Sequence, residues 1–266
     1  MNIFTMNTTT HSLNSLFRKR IGWDDMSALT FEHLGPLLEA TALAFPFENL
    51  RIIARSSEPL TTENLIDKLL KRGEGGLCYE LNSMLYFFLA ENGFDVLMTR
   101  GIVYNHQTGR YPPAGRTHIA VLLIHEGNQY IVDTGFGINL ALRPVPLTGE
   151  EVSSWNGEFR LRREQTDYGD FVYEKKLAGR DQDWLLGYAF DSTLKLTTLD
   201  EPREVQQIIE QHPESPFNKE PLATRLTRTG TMTLTRQSFT QWTDGQMEKT
   251  PLNETEYRER LSLFGL

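Results

Sequence analysis

The chain has 266 residues, of which 39% are hydrophobic and 23% charged, and this length and composition are typical of a globular protein with a large core. It contains 35 acidic and 27 basic residues, and the resulting net charge of −8 argues against a nucleic-acid-binding protein. A single cysteine excludes an internal disulfide, and no apolar run approaches the roughly 20 residues of a membrane span.

The first part of the chain is predicted to be helical. Residues 1–11 are polar and lack the apolar core of a signal peptide, so we expect a frayed end and a cytoplasmic protein with no membrane partner. Apolar residues recur at helical spacing in four segments, which predicts helices over residues 12–23, 31–44, 62–73 and 78–93. Thr62 is the expected N-cap of the third helix. Residues 12–93 are therefore predicted to form an all-helical bundle.

The fourth predicted helix carries the only cysteine, Cys78, in its first turn. Gly73, Gly75 and Gly76 precede it and allow the backbone to turn sharply into the helix. Unpaired N–H groups and the helix dipole favour an anion at this position, so the thiol is favoured as the nucleophilic thiolate. The alternative interpretation is a small buried hydrophobic residue without reactivity.

After residue 93 the pattern changes to short runs rich in β-branched and aliphatic residues. These runs predict strands over residues 94–103, 118–124, 129–133, 157–163, 170–176 and 184–190, as in a small antiparallel barrel or sandwich. Residues 104–117 are predicted to form a long exposed loop, and loops of that length are usually functional or mobile. The remaining predicted elements are a helix over 200–211, strands over 223–229 and 231–236, and a closing helix whose capping box joins Asn253 to Glu256.

A catalytic cysteine needs a histidine as base and a third group to orient it, and strand parity selects His118 and Asp133. If residue 124 pairs with residue 129, the two side chains share a face as diagonal neighbours, about 7–8 Å apart at Cα. We therefore predict a four-residue loop over 125–128, or an equivalent bulge. The alternative is a core histidine bonded to a carboxylate. No metal site is predicted, because no pair of ligands has the short spacing of zinc sites.

These motifs occur in the order found in the arylamine N-acetyltransferases, which the chain resembles over essentially its whole length. The matching segments are Arg20-Ile-Gly22, Pro46-Phe-Glu-Asn-Leu50, Gly75-Gly-Leu-Cys-Tyr-Glu-Leu-Asn82, Thr117-His118, Val132-Asp-Thr-Gly-Phe-Gly137, Ser215-Pro-Phe217 and Leu263-Phe-Gly-Leu266. The resemblance implies an α+β fold with a papain-like Cys78-His118-Asp133 centre. Its three implied parts are an N-terminal helical bundle over 1–94, a central antiparallel β-barrel over 95–195 and a C-terminal α/β lid over 196–266.

The resemblance also implies an activity in xenobiotic metabolism: ping-pong N-acetylation of arylamines or arylhydrazines through an acetyl-cysteine intermediate. Acetyl-CoA would be the acyl-donor substrate, with no permanently bound cofactor. Phe136, flanked by Gly135 and Gly137, would wall the acceptor pocket, while the 104–117 loop and the lid would contact coenzyme A. The alternatives are an amide synthase of the same fold that closes a macrolactam, a cysteine hydrolase, and a non-catalytic binding protein.

One residue departs from the family pattern. The family usually has arginine immediately before the paired glycines, where this chain has Glu74. In the family that arginine looks like a partner of the glutamate that corresponds to Glu48. Because two facing acids would repel each other, we expect Glu74 to point outward or pair elsewhere, and Arg72 is the candidate substitute.

Overall fold

A computed structural model describes residues 12–266. Residues 1–11, which include His11 and were predicted to be frayed, lie outside the described residues. Between residues 12 and 266, no helix combines the length and apolar character that a membrane crossing requires.

The N-terminal helices are α1 (Leu13–Ile21), α2 (Leu34–Ala44), α3 (Leu50–Ile53), α4 (Thr62–Leu65) and α5 (Cys78–Glu91), with a 3₁₀ turn at Phe31–His33 before α2. The α4 helix continues as a π-helix over Ile66–Lys71. Its N-cap is Thr61, whose side chain accepts the N–H of Asn64, so the prediction of Thr62 was wrong by one residue. Gly93 follows the C-terminus of α5 and has a φ of +84°, a left-handed conformation that suits glycine.

The prediction that residues 12–93 are entirely helical was wrong at Phe47–Glu48, which forms strand β1. The partner of β1 lies far along the chain, at Leu222–Thr227, and Phe47 pairs there with Thr224. Asn49 strengthens this connection, because its side-chain amide donates to the carbonyls of Phe217 and Glu220 at 2.8 and 2.9 Å. The segment after Pro46 thus ties the N-terminal helices to the C-terminal part of the chain.

Eight antiparallel strands form a nearly closed barrel, as predicted from the short strand spacing. They are β2 (Asp95–Val103), β3 (His118–His125), β4 (Asn128–Val132), β5 (Val145–Pro146), β6 (Val152–Ser154), β7 (Gly157–Thr166), β8 (Gly169–Leu177) and β9 (Leu185–Phe190). Their order across the sheet is β5-β4-β3-β2-β9-β8-β7-β6, and β5 returns to contact β7. The barrel encloses its own apolar core, which includes Leu122, Phe159 and Tyr173.

The β3–β4 hairpin has the predicted register but a shorter loop. Ile124 pairs with Gln129 as predicted, and the ladder continues by one more pair, from His125 to Asn128. Only Glu126 and Gly127 remain in the turn, with φ of +49° and +78°, so the prediction of a four-residue loop was wrong. Two left-handed residues in succession match the twist of the flanking strands, which favours this tight turn.

The C-terminal part contains α6 (Asp200–Gln211), β10 (Leu222–Thr227), β11 (Gly230–Thr235), β12 (Ser238–Thr243), β13 (Gln246–Pro251) and α7 (Glu254–Leu261). The four strands and β1 form a second sheet in the order β1-β10-β11-β12-β13. Val205 and Ile209 of α6 belong to the core of the N-terminal helices. The predicted capping box is confirmed, since Asn253 accepts the N–H of Glu256, whose carboxylate accepts the N–H of Asn253 in return.

Candidate active site

Cys78 is the first residue of α5, as predicted, and it faces a cavity. The thiol donates a hydrogen bond to the carbonyl of Thr117 at 3.3 Å, just before β3. The residue is 5% exposed overall, but it belongs to the cavity wall. The paired glycines permit the approach to the helix, because a Cβ at Gly75 would lie 2.1 Å from the carbonyl oxygen of Pro46. A larger residue there would displace the strand that holds the N-terminus of α5.

His118 and Asp133 form a buried pair, with Nε2 and Oδ2 separated by 2.7 Å. This contact leaves Nδ1 as the imidazole nitrogen available to the thiol. Burial alone would lower the pKa of His118, but the charge of Asp133, the hydrogen bond to it, and a hydrogen bond to Cys78 together raise the pKa to about 10. Burial would raise the pKa of Asp133, whereas the charge and hydrogen bond of His118 lower it. The pair is therefore favoured as imidazolium and carboxylate.

The remaining lone pairs of Asp133 are also satisfied. Its Oδ1 accepts the side-chain N–H of Asn82 and the backbone N–H of Gly135, both at 2.8 Å. Its Oδ2 accepts the hydroxyl of Tyr188 at 3.1 Å in addition to the imidazole. A carboxylate removed from water is retained only with such partners. These four contacts fix the orientation of the acid, and through it that of His118.

Asn82 and Tyr188 are the residues at this site that the sequence interpretation did not assign. Asn82 lies one turn after Cys78 on the same helix, and its Oδ1 accepts the N–H of Thr134 at 2.8 Å. The signal in the sequence was an amide four residues after the cysteine, on an otherwise apolar helix face, and the structure buries that amide fully. Tyr188 carried no such signal, because its partner is set by the pairing of distant strands.

The three residues predicted to contact the acceptor, Gly135, Phe136 and Gly137, begin two positions after the acid. Phe136 packs against the rings of His118, Tyr173 and Tyr188, with centroids 5.4, 5.8 and 5.1 Å away. Gly137 has φ of +61°, a left-handed conformation. A Cβ on Gly135 would lie 2.6 Å from Cα of Cys78, so glycine is needed there for the acid-bearing segment to approach the cysteine. All three residues line the same cavity as the cysteine.

The cavity has a volume of about 530 Å³, within the range of small-molecule sites. Its walls are the predicted loop between β2 and β3, the turn after β4, the end of α6, and the start of the C-terminal sheet. Apolar and aromatic side chains supply much of the lining, among them Phe47, Val103, Phe136, Ile208, Pro216, Phe217 and Leu222. This lining suits a flat aromatic or acyl group next to the thiol.

A buried cation lies behind the N-terminus of α5. Lys68 of the π-helical segment contacts Glu80 at 2.6 Å and Glu48 at 3.5 Å. Burial would lower the pKa of Lys68, but the charges of Glu80 and Glu48 raise it. Burial also raises the pKa of Glu48. The other oxygen of Glu80 accepts the N–H of Leu77 at 2.9 Å, so this cluster fixes the residue immediately before the cysteine.

Glu74 pairs away from Glu48, as expected. Its carboxylate accepts two hydrogen bonds from Arg51, at 2.6 and 2.8 Å. Arg72 was the candidate partner of Glu48, but it contacts Asp67 and Glu74 instead. Lys68 is the cation that contacts Glu48. The cation that faces Glu48 in this chain thus comes from the helical segment before α5.

Comparisons with known proteins give a consistent result. A sequence profile of the N-acetyltransferase family matches residues 30–264. The uncharacterized acetyltransferase YvcN of Bacillus subtilis is 41% identical over 251 residues, which cover 94% of this chain and 96% of that protein.

Solved structures also match over nearly the whole chain. The Bacillus cereus arylamine N-acetyltransferase (BACCR)NAT3, which has a Cys-His-Glu catalytic triad, superposes with a TM-score of 0.90 and 36% identity, covering 97% of this chain and 99% of its own. The Mycobacterium marinum arylamine N-acetyltransferase in complex with CoA has a TM-score of 0.80 and 27% identity, covering 94% of this chain and 91% of its own. In this chain the acid that contacts the histidine is an aspartate.

Proposed function

This chain belongs to the arylamine N-acetyltransferase family, and from that premise we propose that it transfers acetyl groups from acetyl-CoA to an arylamine or arylhydrazine through an acetyl-cysteine on Cys78. The observation that carries the proposal is one cavity whose wall holds the thiol of Cys78 and the imidazole of His118, with Asp133 hydrogen-bonded behind the imidazole. This arrangement supplies a nucleophile, a base and an orienting acid.

In the first half-reaction, Cys78 as thiolate attacks the acetyl carbonyl and forms the new C–S bond. The backbone N–H of Cys78 lies at the first position of α5, without an acceptor inside the helix, and donates to the developing oxyanion. When the bond to the coenzyme A sulfur breaks, Nδ1 of His118 gives its proton to the departing thiolate. The raised pKa of His118 supports this step, because the imidazole begins as the proton donor.

In the second half-reaction His118 acts as a base. The hydrogen bond between His118 and Cys78 and the negative charge of Cys78 both raise the pKa of His118. Acetylation of Cys78 removes both, so the pKa of His118 falls in the acyl-enzyme. The imidazole, which is neutral because its proton went to coenzyme A in the first half-reaction, takes a proton from the amine that attacks the acetyl carbon. The C–S bond breaks and the Cys78 thiolate returns. Asp133 holds the imidazole in the same orientation throughout.

An aromatic acceptor suits the side of the cavity beside Phe136. That ring contacts His118, so an acceptor ring packed against it brings the amine nitrogen near the base. Phe47 and Phe217 contact each other with centroids 5.6 Å apart and also line the cavity. Aromatic walls contribute packing energy to flat ligands at little conformational cost.

Mass spectrometry of the intact protein tests the proposal. Exposure to acetyl-CoA without acceptor is expected to add one acetyl group on Cys78, and an arylamine such as aniline is expected to remove it as the N-acetyl product. The matched control is Cys78→Ser, which retains the size of the side chain and is expected to show no rapid adduct.

Other outcomes identify the alternatives. An adduct that decays to acetate at the same rate with or without amine indicates a cysteine hydrolase. An adduct that arylamines do not discharge, together with turnover of carrier-bound acyl chains, indicates an amide synthase. Failure of Cys78 to acquire any acetyl group contradicts the proposal.

A further inference from the structure

The backbone just before His118 carries two consecutive carbonyl groups with different partners. The ladder between β2 and β3 ends at the pair of Gly101 and His118, so Arg116 and Thr117 lie before the paired strand. The carbonyl of Thr117 accepts the thiol of Cys78, and Thr117 lines the catalytic cavity together with His118. The position of this short segment therefore sets how the thiol and the imidazole face each other.

The carbonyl of Arg116 is held by a side chain from the neighbouring strand. Nε of Arg100, on β2, donates a hydrogen bond to this carbonyl at 2.5 Å. Arg100 pairs with Ile119 in the ladder, so its side chain begins beside the start of β3. The side chain is only 11% exposed, and hydrogen bonds from a cation are stronger than neutral ones, the more so away from water. Arg100 therefore fixes the peptide that precedes Thr117.

The other nitrogens of Arg100 bind the beginning of α6. One donates to the carboxylate of Glu201 at 2.6 Å, and the other donates to that of Glu204 at 3.2 Å. The two glutamates are three residues apart, so they lie on the same face of the helix. Because the N–H groups of a guanidinium form a rigid planar fork, partners on two of its nitrogens also set the direction of the third. The contacts with α6 thus aim Nε at the carbonyl of Arg116.

The α6 helix also contributes to the cavity wall, at its other end. It has 12 residues and is about 18 Å long. Ile208 and Ile209, near its C-terminus, line the cavity, and Ile209 also belongs to the core of the N-terminal helices. Arg100 therefore joins two elements that both form the cavity, the segment before His118 and α6.

We propose that Arg100 is a positioning residue for the acetyl transfer, because it holds the Arg116–Thr117 segment in place against Cys78. This inference rests on the proposed function and adds to it a residue outside the cavity. In the described part of the chain, Arg100 is not among the residues that line the cavity, so it acts through the backbone before His118. Such an indirect contact matters because a displacement of about 1 Å at reacting groups can slow a reaction about 100-fold.

The competing explanation is that Arg100 only docks α6 on the barrel. The two roles use different nitrogens of the same side chain, since Nε contacts the carbonyl and the terminal nitrogens contact the glutamates. Substitutions that remove one set of contacts and keep the other can therefore separate positioning from docking.

Arg100→Lys removes the positioning contact and keeps a cation beside Glu201 and Glu204. Lysine has one compact ammonium in place of the fork, so it cannot reach the carbonyl and both glutamates in the same geometry. We expect the maximal rate of Cys78 acetylation in a single turnover, per folded molecule, to fall by about 10–100-fold. The acetyl-CoA concentration that gives half of this rate should change by less than about twofold, because Arg100 does not line the cavity.

Glu201→Gln/Glu204→Gln is the matched variant. Its amide oxygens still accept hydrogen bonds from the terminal nitrogens, so Nε stays directed at the carbonyl of Arg116 while both ion pairs are lost. Acetylation should stay within about threefold of wild type, although the melting temperature should fall by at least as much as in Arg100→Lys. If the double variant is as slow as Arg100→Lys, or if rates simply follow melting temperatures, Arg100 only docks α6 and the positioning role is overturned.

Alkylation of Cys78 by iodoacetamide separates this inference from the proposed function, since it requires neither coenzyme A nor an acceptor. We expect Arg100→Lys to be alkylated several-fold more slowly than wild type at pH 6.5, and at the same rate near pH 10, where an ordinary thiol is ionised without help. If acetyl-CoA does not acetylate the wild type, the proposed function fails. If it does, and the two alkylation profiles coincide, the positioning role alone is overturned.

Discussion

Two buried groups of charged side chains lie near the N-terminus of α5, and they differ in their access to the cavity that holds Cys78. His118 and Asp133 form the first group, in which the imidazole reaches both the thiol and the cavity wall. Lys68 contacts Glu48 and Glu80, and Glu80 accepts the N–H of Leu77, the residue before the helix. Both groups consist of ionised partners removed from water, which is costly without pairing.

Only the first group takes part in the proposed reaction. The proton of His118 can move to a ligand in the cavity, whereas Lys68 donates to carboxylates that hold the backbone before Cys78. Buried charge alone is therefore not evidence for catalysis, and what distinguishes the first group is its place at the cavity that holds Cys78. We therefore expect damage to the first group to impair both chemistry and stability, and damage to the second group to impair mainly stability.

The largest effect is expected for Asp133→Asn. The amide keeps the shape of the side chain but loses the charge that raises the pKa of His118, and it disfavours the required tautomer. We expect acetyl transfer per folded molecule to fall by about 10³–10⁴-fold. The protein is also expected to lose stability, because the amide nitrogen cannot accept the hydrogen bonds that the carboxylate accepts. Single-turnover acetylation of Cys78 measures this directly. A loss below about tenfold would show that the acid does not orient the base.

For Lys68→Met the expected loss is in stability. Methionine fills similar volume but leaves two buried carboxylates unpaired, so the free energy of unfolding should fall by about 3–5 kcal/mol. Activity per folded molecule should change less than tenfold. Urea titration with a parallel assay separates the two quantities, and Arg72→Met serves as the exposed control. Equal destabilisation by both variants would mean that burial does not matter here.

The pH dependence of stability should distinguish the two groups. The folded pKa of His118 is raised from 6.5 to about 10, so its contribution is complete below about pH 6.5 and is lost as pH rises through 10. The pKa of Lys68 is raised above 10.5, so its contribution persists over that interval. Wild type should lose on the order of a few kcal/mol between pH 6.5 and 10 relative to His118→Gln. Parallel curves for the two proteins would contradict the raised pKa.

The smallest effect is expected for Glu74→Gln. Its partner Arg51 is held by two hydrogen bonds, but the carboxylate is 27% exposed and Arg51 also contacts Glu58. Pairs of this kind contribute about 0.2–1 kcal/mol. Thermal unfolding at low and high salt should show a shift of a few degrees at most. A loss as large as that of Lys68→Met would place Glu74 within the buried cluster.

Sequence interpretation succeeded where a short-range pattern carries the structure. Strand parity was sufficient to put His118 and Asp133 on one face, because the register of a hairpin fixes its side chains. The C-terminal strand β13 was missed because most of its side chains are exposed, so no alternation of apolar residues reveals it. The β1 strand was missed because it has two residues, and its partner β10 lies far along the chain.

The sequence predicted the position of Asp133 but not all of its hydrogen-bond partners. Asn82 and Tyr188 reach Asp133 from a helix and from a strand that the chain brings together only in three dimensions. The role of Lys68 depends on the π-helical turn that directs it toward Glu48, and a single widened turn leaves little trace in the spacing of apolar residues.

The two-residue turn of Glu126 and Gly127 limits how this protein can be engineered or can diverge. Adding or deleting one residue there would rotate every downstream position of β4 to the opposite face, and the acid would leave the imidazole. Side chains in this hairpin can be exchanged, whereas its length cannot. Epitope tags, fluorescent labels and domain fusions therefore belong in other loops of the barrel.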